Sequence, residues 1–384
     1  MTPDERGPTA ELPAHQRRHD SSPPARSSPT RRRFLQSVGA GAIAATVATG
    51  PSFGQSAASA PFVEADGPQL VLDGEAIAFH GANNFWITDS FRGEAERIDA
   101  LFEQFEEMNV DLLRTFIACE GGDGACYIPE PYEHSEAAYE NLDYLIAAAA
   151  EHDIRLVLIL ADNWDHNGGA DQYVDWIDGA SEHGDFYANE DVKDLYRWHV
   201  EETLTRENTV TGLEYREDPT IAFWELCNEP RIEGDAFGED PGYEERASIL
   251  ETWLTEMSEL VADLAPNHLI SSGMEGFYTR EDRPEWFYNE WTGQDYLRHH
   301  DVDTIDVCSF HWYPYHWDVP LEYGTTWIEE HVRDAHELLE KPAYFGEFNV
   351  NADSGLDARN SFLTEWYAAA DAYDCDATTI WQIV

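Results

Sequence analysis

Ile221-Ala222-Phe223-Trp224-Glu225-Leu226-Cys227-Asn228-Glu229-Pro230-Arg231 begins as a nearly unbroken apolar run and ends in polar and charged side chains around a proline. A run of this kind reads as a strand buried on both faces, with the polar residues emerging where the strand ends. The pattern recurs at Ala76–His80, Leu112–Phe116, Arg155–Leu160, Leu269–Gly273, Asp306–Phe310, Ala343–Gly346 and Thr378–Val384, giving eight runs with Ile221–Leu226. Amphipathic stretches separate them. Ala95–Met108 places Ile98, Leu101, Phe102 and Phe105 on one helical face; Ala137–Glu151 and Glu244–Leu264 behave similarly, and Ala358–Tyr373 less regularly. Strands alternating with helices predict an α/β protein with a parallel sheet. Eight such units predict a (β/α)₈ TIM barrel.

A doubly wound sheet would carry a glycine-rich phosphate loop after its first strand. Here that strand runs into Gly81-Ala82-Asn83-Asn84-Phe85-Trp86, which lacks the spacing. Phe62–Leu72 reads as a hairpin across the barrel bottom. The chain stops at Val384, within or just after the eighth strand. The expectation is therefore a barrel truncated after that strand, with an apolar outer face left uncovered.

The first sixty residues differ from the rest. Residues 1–29 are rich in Pro, Ser, Arg and His and read as disordered. Arg31 and Arg32 then precede an apolar stretch from Val38 to Thr49 and a small-residue cleavage pattern, Ala58-Ser59-Ala60. This order resembles a twin-arginine export signal. The stretch is too short for a membrane span, so no stable membrane anchor is expected. Residues 61–384 are expected to form one secreted, monomeric catalytic barrel.

Those residues carry 16 Lys+Arg against 72 Asp+Glu. Such a charge repels a phosphate backbone and argues against a nucleic-acid partner. It also opposes folding at low ionic strength, where salt would screen it. Disorder, the plainest reading of extreme acidity, fails against the abundance of Trp, Tyr and Phe in the same segment. The acids must coat a folded body, as on a salt-adapted protein. Five cysteines leave at least one unpaired within the chain. Cys119 and Cys126 flank a glycine-rich loop and could close a small disulfide, though their spacing alone does not decide it. No CxxC or His-rich cluster marks a metal site, and no cofactor is expected.

Residues at the C-terminal ends of barrel strands face the active side. Asn83 and Trp86 follow strand one and Arg114 lies in strand two. Asn163 and Trp164 follow strand three, and Asn228 and Glu229 strand four. His311 and Tyr313 follow strand six, Glu347 strand seven, and Trp381 lies in strand eight. Taken singly, an acid among 76 is usually a solvated surface group, and a Trp or Tyr usually packs. Their recurrence at one end of successive strands favours a site. Two carboxylates are what glycosidic hydrolysis needs, one to donate a proton and one to attack. Glu229 suits the acid and Glu347 the nucleophile. Arg114 and Tyr313 are placed to keep a nucleophilic carboxylate ionised.

At these residues the chain resembles glycoside hydrolase family 5, a retaining (β/α)₈ family. The marks are Asn228-Glu229-Pro230 after strand four and Gly346-Glu347 after strand seven. The likeness extends to the endo-β-1,4-mannanase branch, subfamily 7. It is carried by Leu160-Ala161-Asp162-Asn163-Trp164-Asp165-His166-Asn167-Gly168-Gly169 with Tyr173-Val174-Asp175-Trp176, by Gly273-Met274-Glu275-Gly276-Phe277-Tyr278, and by His311-Trp312-Tyr313-Pro314. It covers roughly residues 70–384. The resemblance implies that Glu229 is acid/base and Glu347 nucleophile, with carboxyl groups about 5–5.5 Å apart. It implies that Asn228 binds a 2-hydroxyl, that Arg114, His311 and Tyr313 position the carboxylates, and that Trp381 lies beneath the cleaved sugar. Trp86, Asn163, Trp164 and Arg231 would be further substrate contacts. Glu225 and Glu275 belong to the motifs too, as supporting residues or as contacts. The implied partner is a β-mannan-type polysaccharide. A β-1,4-glucanase of the same family, or a barrel that binds carbohydrate without cutting it, remain alternatives.

Overall fold

The computed structural model describes residues 60–383 except 88–94, 123–125, 281 and 284. The proposed export signal, with Arg31 and Arg32, lies outside the described residues.

A three-stranded antiparallel sheet comes first: β1 (Val63–Asp66), β2 (Gln69–Leu72) and β3 (Glu75–Ile77). Eight parallel strands then alternate with helices. They are β4 (Phe79–Asn83), β5 (Leu112–Phe116), β6 (Arg155–Ile159), β7 (Ile221–Glu225), β8 (Leu269–Ser271), β9 (Cys308–Trp312), β10 (Ala343–Phe348) and β11 (Ala377–Ile380). The main intervening helices are α1 (Ala95–Met108), α2 (Glu136–Glu151), α3 (Glu190–Leu204), α4 (Tyr243–Leu264), α5 (Tyr296–His300), α6 (Gly324–Asp334) and α7 (Leu356–Ala372). Hydrogen-bonded neighbours run β8-β7-β6-β5-β4-β11-β10-β9. A parallel bridge between Ser271 and Val307 closes the ring. The fold is a TIM barrel.

Most strands fall where the apolar runs predict. Two are displaced. The first run, Ala76–His80, divides between β3, which belongs to the small sheet, and β4, which starts at Phe79 where its N–H bonds Asp376 O at 2.9 Å. The sixth strand begins at Cys308 because Asp306 is spent on the neighbouring strand, its Oδ2 accepting the Ile270 N–H at 2.9 Å. Helix α3 is not evident from the apolar pattern. Its dense acids hide an apolar face of Val192, Leu195, Tyr196 and Val200, and Asn189 caps its start by accepting from Asp191 and Val192 N–H.

The Phe62–Leu72 hairpin does lie under the barrel. Val63 and Leu70 are buried with Phe79, Leu112, Val157 and Leu269 at the N-terminal ends of the strands. Burying an aliphatic side chain of that size contributes about 1.5–3 kcal/mol, so the hairpin acts as a hydrophobic plug. On β11 the outward residues are Thr378 and Ile380, which corrects the expectation of an exposed apolar face. Thr378 is buried, and Ile380 is half-buried and packs against the two main core clusters. Cys119 and Cys126 form a disulfide, while Cys227, Cys308 and Cys375 are buried thiols. Among the described residues, no helix is long and apolar enough to cross a membrane.

Candidate active site

The strand ends converge on Arg114 of β5, which is fully buried. A guanidinium has five N–H donors, and here all five are used. Nε and Nη2 donate to Oε1 of Glu225 at 3.1 and 2.5 Å, and Nη2 also donates to Oδ1 of Asn228 at 2.8 Å. Nη1 donates to Oδ1 of Asn83 at 2.9 Å and to Oε1 of Glu347. Burial alone pulls the guanidinium pKa down, but Glu225 and Glu347 outweigh it and the net shift is upward. The charge therefore stays fixed beside Glu347.

Glu347 reaches that position through an irregularity in β10. The β9–β10 register shifts between Phe345 and Glu347, which sets Glu347 opposite His311. Bulges re-aim side chains in this way. Asn83 Nδ2 holds the kink by donating to Gly346 O at 2.9 Å. The second Glu347 oxygen accepts the Tyr313 hydroxyl at 2.5 Å. Burial, then the charges of Glu347 and Glu229, push the Tyr313 pKa well above its ordinary value, so the phenol keeps its proton and remains a donor.

Glu229 follows β7 with φ of +52°, uncommon for a residue with a side chain. Its N–H bonds Gly273 O at 2.8 Å, and Gly273 sits at φ +79° with room for no Cβ, which would lie 1.9 Å from Cys227 O. The glycine of the strand-five motif thus lets two backbones approach and fixes the turn that presents Glu229. Trp164 Nε1 donates to its Oε2 at 2.7 Å, and His311 Nδ1 lies 2.8 Å from its Oε1. Burial pushes the Glu229 pKa up, but His311, Arg231 and Trp164 together outweigh it, and the net direction is downward.

One donor atom each of Glu229, His311 and Glu347 lies within 4.8 Å of the others. A cation would accept that spacing, yet Arg114, Tyr313 and Trp164 already donate to the carboxylate oxygens. With one oxygen of each carboxylate within 4.8 Å of the other, the approach is nearer to the roughly 5–5.5 Å of retaining glycosidases than to the roughly 6.5–9.5 Å that inverting enzymes need for an intervening water.

Around this centre, Asp162 was not singled out from sequence although it lies within a quoted motif. Its Oδ1 accepts from Asn228 Nδ2 at 3.0 Å and from the Trp164 N–H at 3.2 Å, orienting both. Burial raises its pKa to about 7 despite those bonds. Trp381 stands half-buried against Phe85 and Phe116, and its backbone N–H donates to Phe348 O at 3.0 Å, which puts this aromatic surface on the Glu347 side. Arg231 lies 4.5 Å over the Trp164 ring and donates to Glu275 at 3.2 Å, and Gln294, which carried no sequence signal, also donates to Glu275. Asn163 Oδ1 is engaged by Tyr187 and His183 at 2.6 and 2.9 Å. Trp86 packs on the main core with the Arg97 guanidinium 6.0 Å from its ring, while its neighbour Phe85 meets Trp381.

A TIM barrel holding two carboxylates this close at the mouth of its strands, between aromatic surfaces, defines an enzyme of the glycoside hydrolase class. The chain belongs to glycoside hydrolase family 5: residues 60–382 match the description "GH family 5 beta-mannosidase-like". It is 34% identical over 327 residues to mannan endo-1,4-beta-mannosidase 8 of Oryza sativa subsp. japonica, covering 79% of this chain and 85% of that one. It is 31% identical to mannan endo-1,4-beta-mannosidase 1 of Arabidopsis thaliana over 84% of this chain and 82% of the other. Among solved structures, it superposes on the endo-1,4-beta-mannanase from Rhizomucor miehei with a TM-score of 0.77 at 29% identity, covering 84% of this chain and 91% of that one.

Proposed function

We propose that the enzyme is a retaining endo-β-1,4-mannanase that cuts internal linkages of mannan, glucomannan or galactomannan. The observation that carries the chemistry is the short distance between two carboxylates with different partners, within 4.8 Å. Glu347, held by Arg114 and Tyr313, attacks the anomeric carbon. Glu229 gives its proton to the departing glycosidic oxygen as that C–O bond breaks. A water then loses a proton to Glu229 and attacks the same carbon, which frees Glu347 and restores both groups. Glu229 must be protonated at the first step. A saccharide that expels water from the cleft strengthens the effect of burial and moves Glu229 towards its acid form. Asn228, fixed between Arg114 and Asp162, is placed to bind the 2-hydroxyl, and Trp381 to carry the sugar face. The mannan assignment is supported by the named activities of the relatives. Assay on glucomannan, galactomannan and carboxymethylcellulose tests it, and hydrolysis confined to carboxymethylcellulose would overturn it.

Residues 1–60 act as a twin-arginine export signal, and residues 61–384 work outside the cell as a monomer in high salt. The 72 acidic residues against 16 basic ones in that segment support the salt adaptation.

A further inference from the structure

Beyond Arg231 lies an aromatic surface that the chemistry above does not use. Trp291 is 47% exposed, an unusual position for an indole on so acidic a protein. With Trp286 and Asn289 it lines a surface concavity of about 420 Å³. The three are held in place. Trp286 Nε1 donates to Trp317 O at 3.0 Å, the Trp291 N–H donates to Asn289 Oδ1 at 2.9 Å, and Arg246 donates to Trp291 O at 2.9 Å. The two indoles stand edge to face, 6.4 Å apart at 81°, so Trp286 buttresses Trp291.

The surface is continuous with the candidate active site. Trp164 donates to Glu229, Arg231 lies 4.5 Å over Trp164, and the same guanidinium lies 6.0 Å from the Trp291 ring. This line leads outward from the proton donor. The sugar that leaves is the one whose oxygen Glu229 protonates, so the line follows the leaving-group side. The aromatic surface of Trp381 lies with Phe85 and Phe116 on the Glu347 side.

We propose that Trp291, buttressed by Trp286 and flanked by Asn289, is an outer subsite on the leaving-group side that stacks a pyranose ring of a long β-1,4-linked mannan chain. An indole face matches the flat apolar face of a sugar, and Asn289 adds a polar group at its edge. The inference rests on the mannanase reading for the identity of the sugar. The test compares kcat/KM for mannohexaose and mannotetraose in the wild type, Trp291→Ala and Trp291→Phe. The hexaose-to-tetraose ratio falls about tenfold in Trp291→Ala, as for about 1.4 kcal/mol of lost contact, and Trp291→Phe restores most of it. A ratio in Trp291→Ala equal to that of the wild type overturns the subsite and leaves the hydrolase reading intact. A wild type that cuts cello-oligosaccharides and not manno-oligosaccharides overturns the mannan reading instead. The same ratio on cellohexaose and cellotetraose then decides whether Trp291 forms a subsite.

Discussion

His311 has the most leverage over the proton at the candidate active site. Its Nδ1 lies 2.8 Å from Glu229 and 4.0 Å from Glu347, and it is the largest of the influences that lower the Glu229 pKa. Removing it leaves burial less opposed, so the Glu229 pKa rises and the acid form persists to higher pH. His311→Ala should therefore move the basic limb of the kcat/KM profile upward in pH, while lowering the maximum. An unmoved limb in an active variant would show that His311 does not tune Glu229. At this scale the sequence was most legible where a rare residue type closed a strand. Glu229, Glu347, Arg114, Asn228, His311, Tyr313, Trp164 and Arg231 lie in one contact network. Asp162 escaped notice because one acid in a chain of 76 carries no signal until its partners are seen. The surroundings of Trp86 and Asn163 were not legible either: Asn84 accepts the Trp86 N–H in a turn, and Tyr187 and His183 engage Asn163.

Among the elements, the ends of β7 and β8 act as one unit. Gly273 lets Cys227 O approach and accepts the Glu229 N–H. Gly273→Ala adds a Cβ 1.9 Å from that carbonyl at a positive φ. The positive φ alone costs about 1–3 kcal/mol, and the clash must move Glu229 as well. The variant should unfold at lower temperature in calorimetry and lose activity even where it remains folded. Wild-type activity and melting temperature together would refute this account of the turn. The loop after β5 carries a different signature. Glu120 Oε2 accepts the Gly169 N–H at 2.9 Å, while its buried Oε1 has no hydrogen-bond partner among the described residues. Burial raises its pKa from the ordinary 4.5 to about 8. Between those values the folded protein holds a proton that the unfolded chain has released. Stability from this group is thus full below about pH 4.5 and declines as pH rises through 8. Asp162, raised to about 7, acts in the same direction. Glu120→Gln should flatten the fall in melting temperature from pH 5 to pH 8, and an equally steep fall in the variant would contradict the shift. Element boundaries were least legible where polar side chains override the apolar pattern, as at Asp306 before β9. Element type was legible wherever one face was continuously apolar, as in α1 and β5.

For the whole molecule, the relevant quantity is charge. The chain has a formal net charge of −53, and its aromatic-rich cores are buried beneath an acid-rich exterior. Self-repulsion on that scale weakens as the Debye length falls from about 10 Å at 0.1 M salt to about 3 Å at 1 M. Circular dichroism should show loss of structure on dilution from molar salt into dilute buffer. A spectrum unchanged across that range would refute salt adaptation. At the mouth of the barrel the close approach of the two carboxylates, one oxygen of each within 4.8 Å of the other, favours retention of configuration over inversion. Proton NMR of the first reducing ends released from mannohexaose reads that outcome directly. The β-anomer is expected to form first and then mutarotate, and an initial α-anomer would contradict the double displacement through Glu347.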